Sequence, residues 1–374
     1  MTSAPPSYSV DSAFTSVTLG GLRLKNRFAM APMTRNFSPD GIPGPDVVEY
    51  YARRARHGVG LIITEGAVVD HPGSTYNPTV PHFYGEKALA GWAEVVRRVH
   101  AEDGRIFAQL WHVGLDPLAG EAALGPGTAL VGPSGLVTPG QQVTEPMTQR
   151  QIDDVIEAFA SAAADAERLG FDGVELHGAH GYLIDQFFWA GTNQRTDVYG
   201  GDLAARTRFA VEIIEAVRAR VRPEFPVVLR FSQWKTVDFR VKLAADPREL
   251  EGFLAPLTEA GVTAFHCSTR RFWTPEFEGS DLTLAGWTKK ITGKPVITVG
   301  SVGLDSDYVT MFAEGTGAGT ESIAGVLERL EREEFDIVAV GRALLGDPEW
   351  VAKVRDGRLD ELTPFSPQSL ATLA

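Results

Sequence analysis

The feature that most constrains the fold is a regular alternation of short apolar runs with longer amphipathic stretches. Each run has four to six residues and is bounded by glycine or polar residues, which is typical of strands buried on both faces of a parallel sheet. The eight runs are FAMAPM (28–33), LIITEG (61–66), IFAQLW (106–111), GVELH (173–177), VVLRF (227–231), AFHCS (264–268), VITVG (296–300) and IVAVG (337–341).

The stretches between the runs carry helical patterns with recognisable start and stop signals. Pro45 begins the first and Gly58 ends it, while Thr148 is a predicted N-cap for a helix that stops at Gly170. Eight strand–helix alternations predict a (β/α)8 TIM barrel, with an open doubly wound sheet as the alternative, because a sequence does not show barrel closure. The predicted helices span 45–58, 87–104, 148–170, 203–221, 247–261, 282–293, 321–334 and 348–357.

The chain is predicted to form a single domain over residues 1–374, with the barrel proper at about 22–357. Before the first unit, SVTLGGLRLKNR predicts a short β-hairpin that turns at Gly20–Gly21 and caps the bottom of the barrel. After the third strand, residues 112–147 form a long loop rich in glycine and proline. A loop of that length in a compact domain is usually functional, so we expect a lid or a wall of the substrate site.

Charge and cysteine content exclude several classes of protein. The formal net charge of −13 argues against nucleic acid or an anionic membrane surface as a partner. A single cysteine, Cys267, allows neither an intrachain disulfide nor a cysteine-based iron–sulfur or zinc site. The first ten residues do not resemble a signal peptide, and no apolar run approaches the ~18 residues of a membrane helix. These observations predict a cytoplasmic enzyme.

Polar side chains stand where the predicted strands end, which is where barrel enzymes place their active sites. The densest group is His177, His180 and Tyr182 in GVELHGAHGYLIDQFF, three proton-carrying side chains directly behind an apolar run. The other strand-end residues are Pro32, Met33, Thr34, Glu65, Gly66, Gln109, Trp111, Arg230, Gly300, Ser301, Gly341 and Arg342.

The last two strand ends predict a phosphate site. Gly300 and Gly341 allow backbone N–H groups to approach an anion closely, and Arg342 adds a charged hydrogen-bond donor. Barrel enzymes frequently bind phosphate in the loops after strands 7 and 8. Arg230, within a barrel strand, needs an anionic partner, which could be a ligand or a carboxylate such as Glu65 or Glu175.

Four motifs together resemble the Old Yellow Enzyme family of FMN-dependent ene-reductases. They are LKNRFAMAPMTR, AQLWH, GVELHGAHGYLIDQFF followed by TNQRTDVYGG, and DIVAVGRALLGDP, and the resemblance runs from about Leu22 to about Asp347. It implies non-covalent FMN as the cofactor and NAD(P)H as the reductant. One branch of the family has Cys at the position of Thr34 and another has Asn at that of His180, so this chain combines features of different branches.

The resemblance also implies a role for each cofactor-site residue. Pro32, Met33 and Thr34 would run along the flavin, with the Thr34 hydroxyl near its O4/N5 edge, and Gly66 would contact the flavin edge through its backbone. Gln109 would pair with the pyrimidine ring, and Arg230 would stabilise negative charge near N1 and O2. The phosphate would be bound by Gly300, Ser301, Gly341 and Arg342.

Three residues are implied to carry the reaction on an activated alkene. His177 and His180 would each donate an N–H to the carbonyl or nitro oxygen of an α,β-unsaturated ketone, aldehyde or nitro-alkene. Tyr182 would then protonate Cα, because a tyrosine with an ordinary pKa near ~10 is protonated at neutral pH. Trp111 would shape the substrate wall. The protein is expected to be a monomer or a homodimer.

Two other readings of the same residues stay open at this point. His177 and His180 could be ligands of a metal-dependent barrel hydrolase, although no matching aspartate cluster stands at the other strand ends. The run GTGAGTES (315–322) superficially resembles a dinucleotide-binding loop, but it lacks the full spacing and a strand directly before it. We therefore predict no metal site, and we interpret that run as the connection between the seventh strand and its helix.

Overall fold

The structure is a computed structural model that describes residues 9–124, 127–307 and 314–374. Residues 1–8 lie outside the described residues, and the prediction that there is no signal peptide rests mainly on them. Eight parallel strands form a closed barrel, which confirms the TIM barrel and excludes the open sheet. The barrel strands are β3 (Phe28–Met30), β4 (Leu61–Val68), β5 (Arg105–Trp111), β8 (Gly173–His180), β9 (Val227–Lys235), β10 (Ala264–Ser268), β11 (Val296–Val299) and β12 (Ile337–Val340). Around the barrel they follow the order β10-β11-β12-β3-β4-β5-β8-β9.

The helices packed around the barrel confirm the predicted alternation. The longest shows why its ends were readable: Thr148 and Gln151 form a reciprocal capping box at its start, and Gly170 at its end is left-handed. The fourth predicted helix, 203–221, is shorter than predicted, because residues 205–207 form a separate 3-10 turn before it. Among the described residues, the helices that correspond to the eight predicted ones are Pro45–Arg56, Glu86–Ala101, Gln149–Leu169, Arg208–Arg218, Pro247–Glu259, Leu284–Thr292, Ala324–Glu331 and Trp350–Arg355.

The N-terminal hairpin caps the bottom of the barrel as predicted. Strands β1 (Val17–Leu19) and β2 (Leu22–Leu24) pair antiparallel around Gly20–Gly21. Leu19 and Leu24 are fully buried and belong to the apolar cluster inside the barrel, together with Phe107 and Ile297. A second and larger cluster lies between the strands and the helices. The barrel is therefore a packed core that is closed at one end, and only its other end can hold a ligand.

Local structure around the strand ends departs from the prediction in three places. The long loop after β5 contains a short helix (Gly120–Leu124) and a small hairpin, β6 (Leu136–Thr138) and β7 (Gln141–Gln142). Short helices also follow β8 (Leu183–Phe188) and β12 (Arg342–Gly346). Pattern reading missed them because five or six residues are too few to show a helical period. Among the described residues, no helix combines the length and apolarity needed to cross a bilayer.

Candidate functional site

A cavity of about 310 Å³ opens at the carboxyl ends of the barrel strands. It brings together most of the strand-end residues selected from the sequence, and they come from six different strands. The predicted residues in its lining are Pro32, Met33, Thr34, Gln109, His177, His180, Tyr182, Arg230, Gly300, Ser301, Gly341 and Arg342. The lining also includes Arg35, Trp234, Ser268 and Arg270, which the sequence analysis did not select.

Three of the strand-end residues selected from the sequence, Glu65, Gly66 and Trp111, stand outside this lining. A Cβ on Gly66 would lie 2.6 Å from the Trp111 ring, so the tryptophan already accounts for a glycine at this position. The Trp111 ring packs edge-to-face on Tyr182, with 4.8 Å between the ring centroids, and stacks near His177 at 6.0 Å. Trp111 therefore supports the side chains that face the cavity, and Gly66 makes room for it.

His177 and His180 lie together at the end of β8 with their rings nearly perpendicular and 5.2 Å apart. Burial, reinforced by the positive charge of Arg230, holds the pKa of each imidazole well below its usual range. Both rings are therefore neutral at pH 7, and each carries one N–H. The Nδ1 atom of His177 is buried and has no hydrogen-bond partner among the described residues.

Ser268 connects His180 to Arg230, a link that the sequence analysis missed. Its hydroxyl lies 2.7 Å from His180 Nε2 and accepts a hydrogen bond from Arg230 Nη2 at 3.2 Å. Arg230 makes no ion pair with a carboxylate in the described part of the chain, and its Nε is buried without a partner. The suggested pairing with Glu65 or Glu175 is thus wrong as a direct contact. Ser268 ends the run AFHCS, and its position at a strand end was the only signal for it.

A buried chain of three side chains runs from the cavity wall into the barrel interior. Gln109 Nε2 donates to Glu175 Oε1 at 2.8 Å, and Glu175 Oε2 lies 2.6 Å from His266 Nδ1. Since a carboxylate only accepts, this contact fixes which end of the Gln109 amide is the nitrogen. The Gln109 oxygen and its second N–H are then the atoms available to a ligand.

The other end of the cavity is built from the loops after β10, β11 and β12. Arg342 donates to the main-chain oxygens of Ser306 and Asp307, the latter at 3.4 Å, and to Ser301 Oγ at 3.4 Å. Arg270 lies 3.4 Å from the Asp307 carboxylate. A Cβ on Gly300 would lie 2.8 Å from Thr269 O, whereas one on Gly341 would meet only ordinary contacts at 3.5 Å or more. A side chain at Gly341 would therefore lie against Met33 and Ala31 in the cavity wall.

The cavity has a charge opposite to that of the chain. Its described lining includes four arginines, Arg35, Arg230, Arg270 and Arg342, and no aspartate or glutamate, in a protein with a formal net charge of −13. Such a concentration of cations without carboxylates in a concave site favours an anionic ligand. No group of three or more His, Cys, Asp or Glu side chains in the described ranges could hold a metal ion, so the hydrolase reading lacks a ligand set.

Comparison with known proteins gives a consistent result. Residues 12–361 match the model of the NADH:flavin oxidoreductase / NADH oxidase family. The chain is 35% identical over 360 residues to the NADH oxidase of Thermoanaerobacter brockii, covering 93% of this chain but only 51% of that protein. It is 33% identical to 12-oxophytodienoate reductase 7 of Oryza sativa subsp. japonica, covering 91% of this chain and 87% of the relative. A structure of morphinone reductase in complex with tetrahydroNAD superposes with a TM-score of 0.77 at 28% identity, over 96% of this chain and 93% of the other.

Proposed function

Because this chain belongs to the NADH:flavin oxidoreductase / NADH oxidase family, the Old Yellow Enzyme family that its motifs predicted, we propose that it reduces activated C=C bonds. It is an oxidoreductase whose cofactor is FMN and whose reductant is NAD(P)H. The proposed substrates are small α,β-unsaturated ketones, aldehydes and nitro-alkenes. Bound in the cavity, FMN would supply the hydride-transfer chemistry that links oxidation of NAD(P)H to reduction of the alkene.

The cavity suits FMN at both ends. The phosphate would be held by Arg342, Ser301 and the backbone at Gly300 and Gly341, all of which line the cavity. The available oxygen and N–H of Gln109 match an imide edge, which needs one acceptor and one donor. The unpartnered Nε of Arg230 would face the same ring and stabilise negative charge on it. Thr34, Met33 and Pro32 complete the wall.

His177 and His180 are proposed to bind the carbonyl or nitro oxygen of the substrate. Hydride addition at Cβ moves negative charge onto that oxygen, and a preorganised neutral N–H stabilises it without carrying a competing charge of its own. One such donor typically contributes about 3–4 kcal/mol in the transition state. Since His180 Nε2 is already in contact with Ser268, that serine is proposed to orient the His180 ring toward the bound oxygen.

Tyr182 is proposed to protonate Cα of the alkene. Its ring lies 4.9 Å from that of His177 and packs on Trp111. Tyr182 is therefore a direct neighbour of one of the two proposed oxygen donors. A positioned acid of this kind typically accelerates a reaction by about 10²–10⁴. The proposed acid and the proposed oxygen donors thus all come from β8 and the turn that follows it, and they would face the same side of the substrate.

The observation that carries the proposal is the juxtaposition of two neutral imidazoles and a tyrosine with a cavity of four arginines and no carboxylate. The test is anaerobic reduction of the purified protein with NADH and with NADPH, followed by mixing with a panel of enones, enals and nitro-alkenes. We expect reoxidation of the flavin with one saturated product formed per flavin. Heat-released FAD, or a flavin that only oxygen reoxidises, would contradict the proposal.

A further inference from the structure

The turn that presents His180 and Tyr182 to the cavity has an uncommon backbone. His180 has φ of 68° and Gly181 has φ of 87°, so two successive residues are left-handed. Only glycine adopts this conformation without strain, and a histidine there must be held by its surroundings. The residues that hold this turn therefore decide where the proposed catalytic side chains stand.

Asp185 contacts the middle of the turn from the helix that follows it. Its Oδ2 accepts a hydrogen bond from the Gly181 N–H at 2.6 Å, and its Oδ1 lies 2.6 Å from Lys235 Nζ. Both charged side chains are 0% exposed. Lys235 is the last residue of β9 and is the register partner of His180. The ion pair thus connects the helix Leu183–Phe188, which follows the turn, to the end of β9, which lies beside it.

The remaining main-chain groups of the turn are bound by the same two elements. The His180 N–H donates to Ser232 Oγ at 2.9 Å, and the His180 carbonyl accepts from Thr236 Oγ1 at 2.9 Å. The Gly181 carbonyl accepts from Gln186 Nε2 at 2.8 Å. Every one of these partners is a side chain close to the end of β9 or in the helix Leu183–Phe188.

Stability alone does not account for a fully buried ion pair. Removing two charges from water costs about as much as their attraction returns, and apolar pairs of similar size often serve as well. Burial acts against both charges here: it raises the pKa of Asp185 and lowers that of Lys235. What an apolar pair cannot do is accept the Gly181 N–H.

We infer that Asp185 is a positioning residue: its Oδ2 accepts the Gly181 N–H and so fixes the left-handed turn carrying His180 and Tyr182, while Lys235 neutralises the buried charge of the Asp185 carboxylate. The inference rests on the function proposed above for those side chains. Neither residue belongs to the lining of the cavity, so the inferred role acts through the turn.

Two double variants separate positioning from mere stabilisation. Asp185→Asn with Lys235→Met removes both charges but keeps a side-chain oxygen that can accept from Gly181. Asp185→Leu with Lys235→Met removes the charges and the acceptor alike. Neither leaves an unpaired buried charge, so both are expected to fold with FMN bound. The two holoenzymes are compared for NAD(P)H-driven flavin reduction and for flavin reoxidation by an enone. They are also compared for affinity of the oxidised form for a phenolate, whose negatively charged oxygen His177 and His180 are proposed to bind.

We expect the Asn variant to keep both half-reactions within about threefold of the wild type. The Leu variant should slow the enone step by about 10- to 100-fold, the effect of displacing reacting groups by about an ångström, while its flavin reduction stays nearly unchanged. Its phenolate affinity should fall as well. A folded Leu variant with wild-type enone reoxidation overturns the inference. So does an Asn variant whose enone step is slowed by about 10-fold or more, and this outcome can be measured even if the Leu variant does not fold.

The wild-type measurement separates failure of the inference from failure of the proposed function. If the wild type reduces no activated alkene, the proposed function fails. Phenolate affinity needs no turnover, so it still tests the positioning of His180 in that case: weaker binding by the Leu variant alone supports the inference, and equal binding by all three proteins contradicts it.

Discussion

The two ends of the cavity are built on different physical terms. The histidine end, consisting of His177, His180 and Tyr182, has neutral donors on a strand and a turn whose main-chain groups are bound by buried side chains. The arginine end, consisting of Gly300, Ser301, Gly341 and Arg342 with Arg270, has permanent charges at the ends of shorter strands, and Arg342 donates to loop carbonyl oxygens.

This difference indicates what each end has to do. Binding an anion needs charge and approximate geometry, because Coulomb attraction falls slowly with distance. Stabilising charge that develops during a reaction needs donors fixed at one place before the reaction begins. We therefore expect substitutions at the histidine end to affect the rate of alkene reduction, and those at the arginine end to affect affinity for the cofactor.

The largest effect is expected for Tyr182→Phe. The variant keeps the ring and loses only the hydroxyl, so the enone half-reaction should slow by about 10²–10⁴ while flavin reduction stays near normal. Nitro-alkenes should be less affected, since a nitronate can leave and take its proton from water. Stopped-flow measurement of each half-reaction gives the comparison. Tyr84→Phe is the matched control, because Tyr84 packs on the same apolar cluster as Tyr182 but lies outside the cavity lining. Equal slowing of both half-reactions would mean that Tyr182 is not the acid.

A smaller loss is expected for His177→Ala. Removing one preorganised donor to a developing negative charge should reduce the enone rate by about 10²–10³, and phenolate affinity should fall with it. FMN content should not change. His57→Ala, at the end of a peripheral helix, controls for the loss of a histidine elsewhere. If the variant titrates with phenolate as the wild type does, His177 does not bind the oxygen.

Arg342→Ala tests the opposite end of the cavity. Loss of a charge-assisted hydrogen bond should weaken FMN binding by about 1.5–3 kcal/mol, or roughly 10- to 100-fold in Kd. Once saturated with FMN, the variant should reduce enones at close to the wild-type rate. Fluorescence titration of the apoprotein with FMN measures the first quantity. Arg240→Ala is the control, since that side chain is 91% exposed in another loop. If the variant showed a slower enone step and an unchanged Kd for FMN, the arginine end would affect the rate of alkene reduction rather than cofactor affinity, which contradicts the proposed difference between the two ends.

The sequence was sufficient for the barrel and for most of the cavity, for a geometric reason. Strand ends of a parallel barrel meet at one face, so selecting polar residues there selects neighbours in space, as His177 and Arg230 show. The Asp185–Lys235 pair could not be found this way, because it depends on the register of β8 and β9 after a bulge. Ser268, the last residue of β10, and Arg270, two residues after it, were missed because a lone serine or arginine at such a position is ordinary in sequence. The cytoplasmic location and the oligomeric state stay predictions.

The smallest effect is expected for a change of pH from 8 to 6, and it tests whether the donors at the histidine end are neutral. An imidazole with the ordinary pKa of about 6.5 would be mostly protonated at pH 6, and the neutral fraction would change about fourfold over this interval. Burial and Arg230 lower the pKa of His177 and His180 well below that value, so both should stay neutral throughout. Affinity of the oxidised holoenzyme for an uncharged saturated ketone should therefore change by less than about twofold. The free energy of unfolding, by contrast, should depend on pH. A buried neutral histidine binds fewer protons than the same residue in the unfolded chain, so its contribution to stability is lost as the pH falls below ~6.5. His177→Asn, which keeps a donor that does not titrate, is the matched control. If the wild type shows a fourfold pH dependence and the Asn variant shows none, His177 is titrating, and the histidine end carries a positive charge much as the arginine end does.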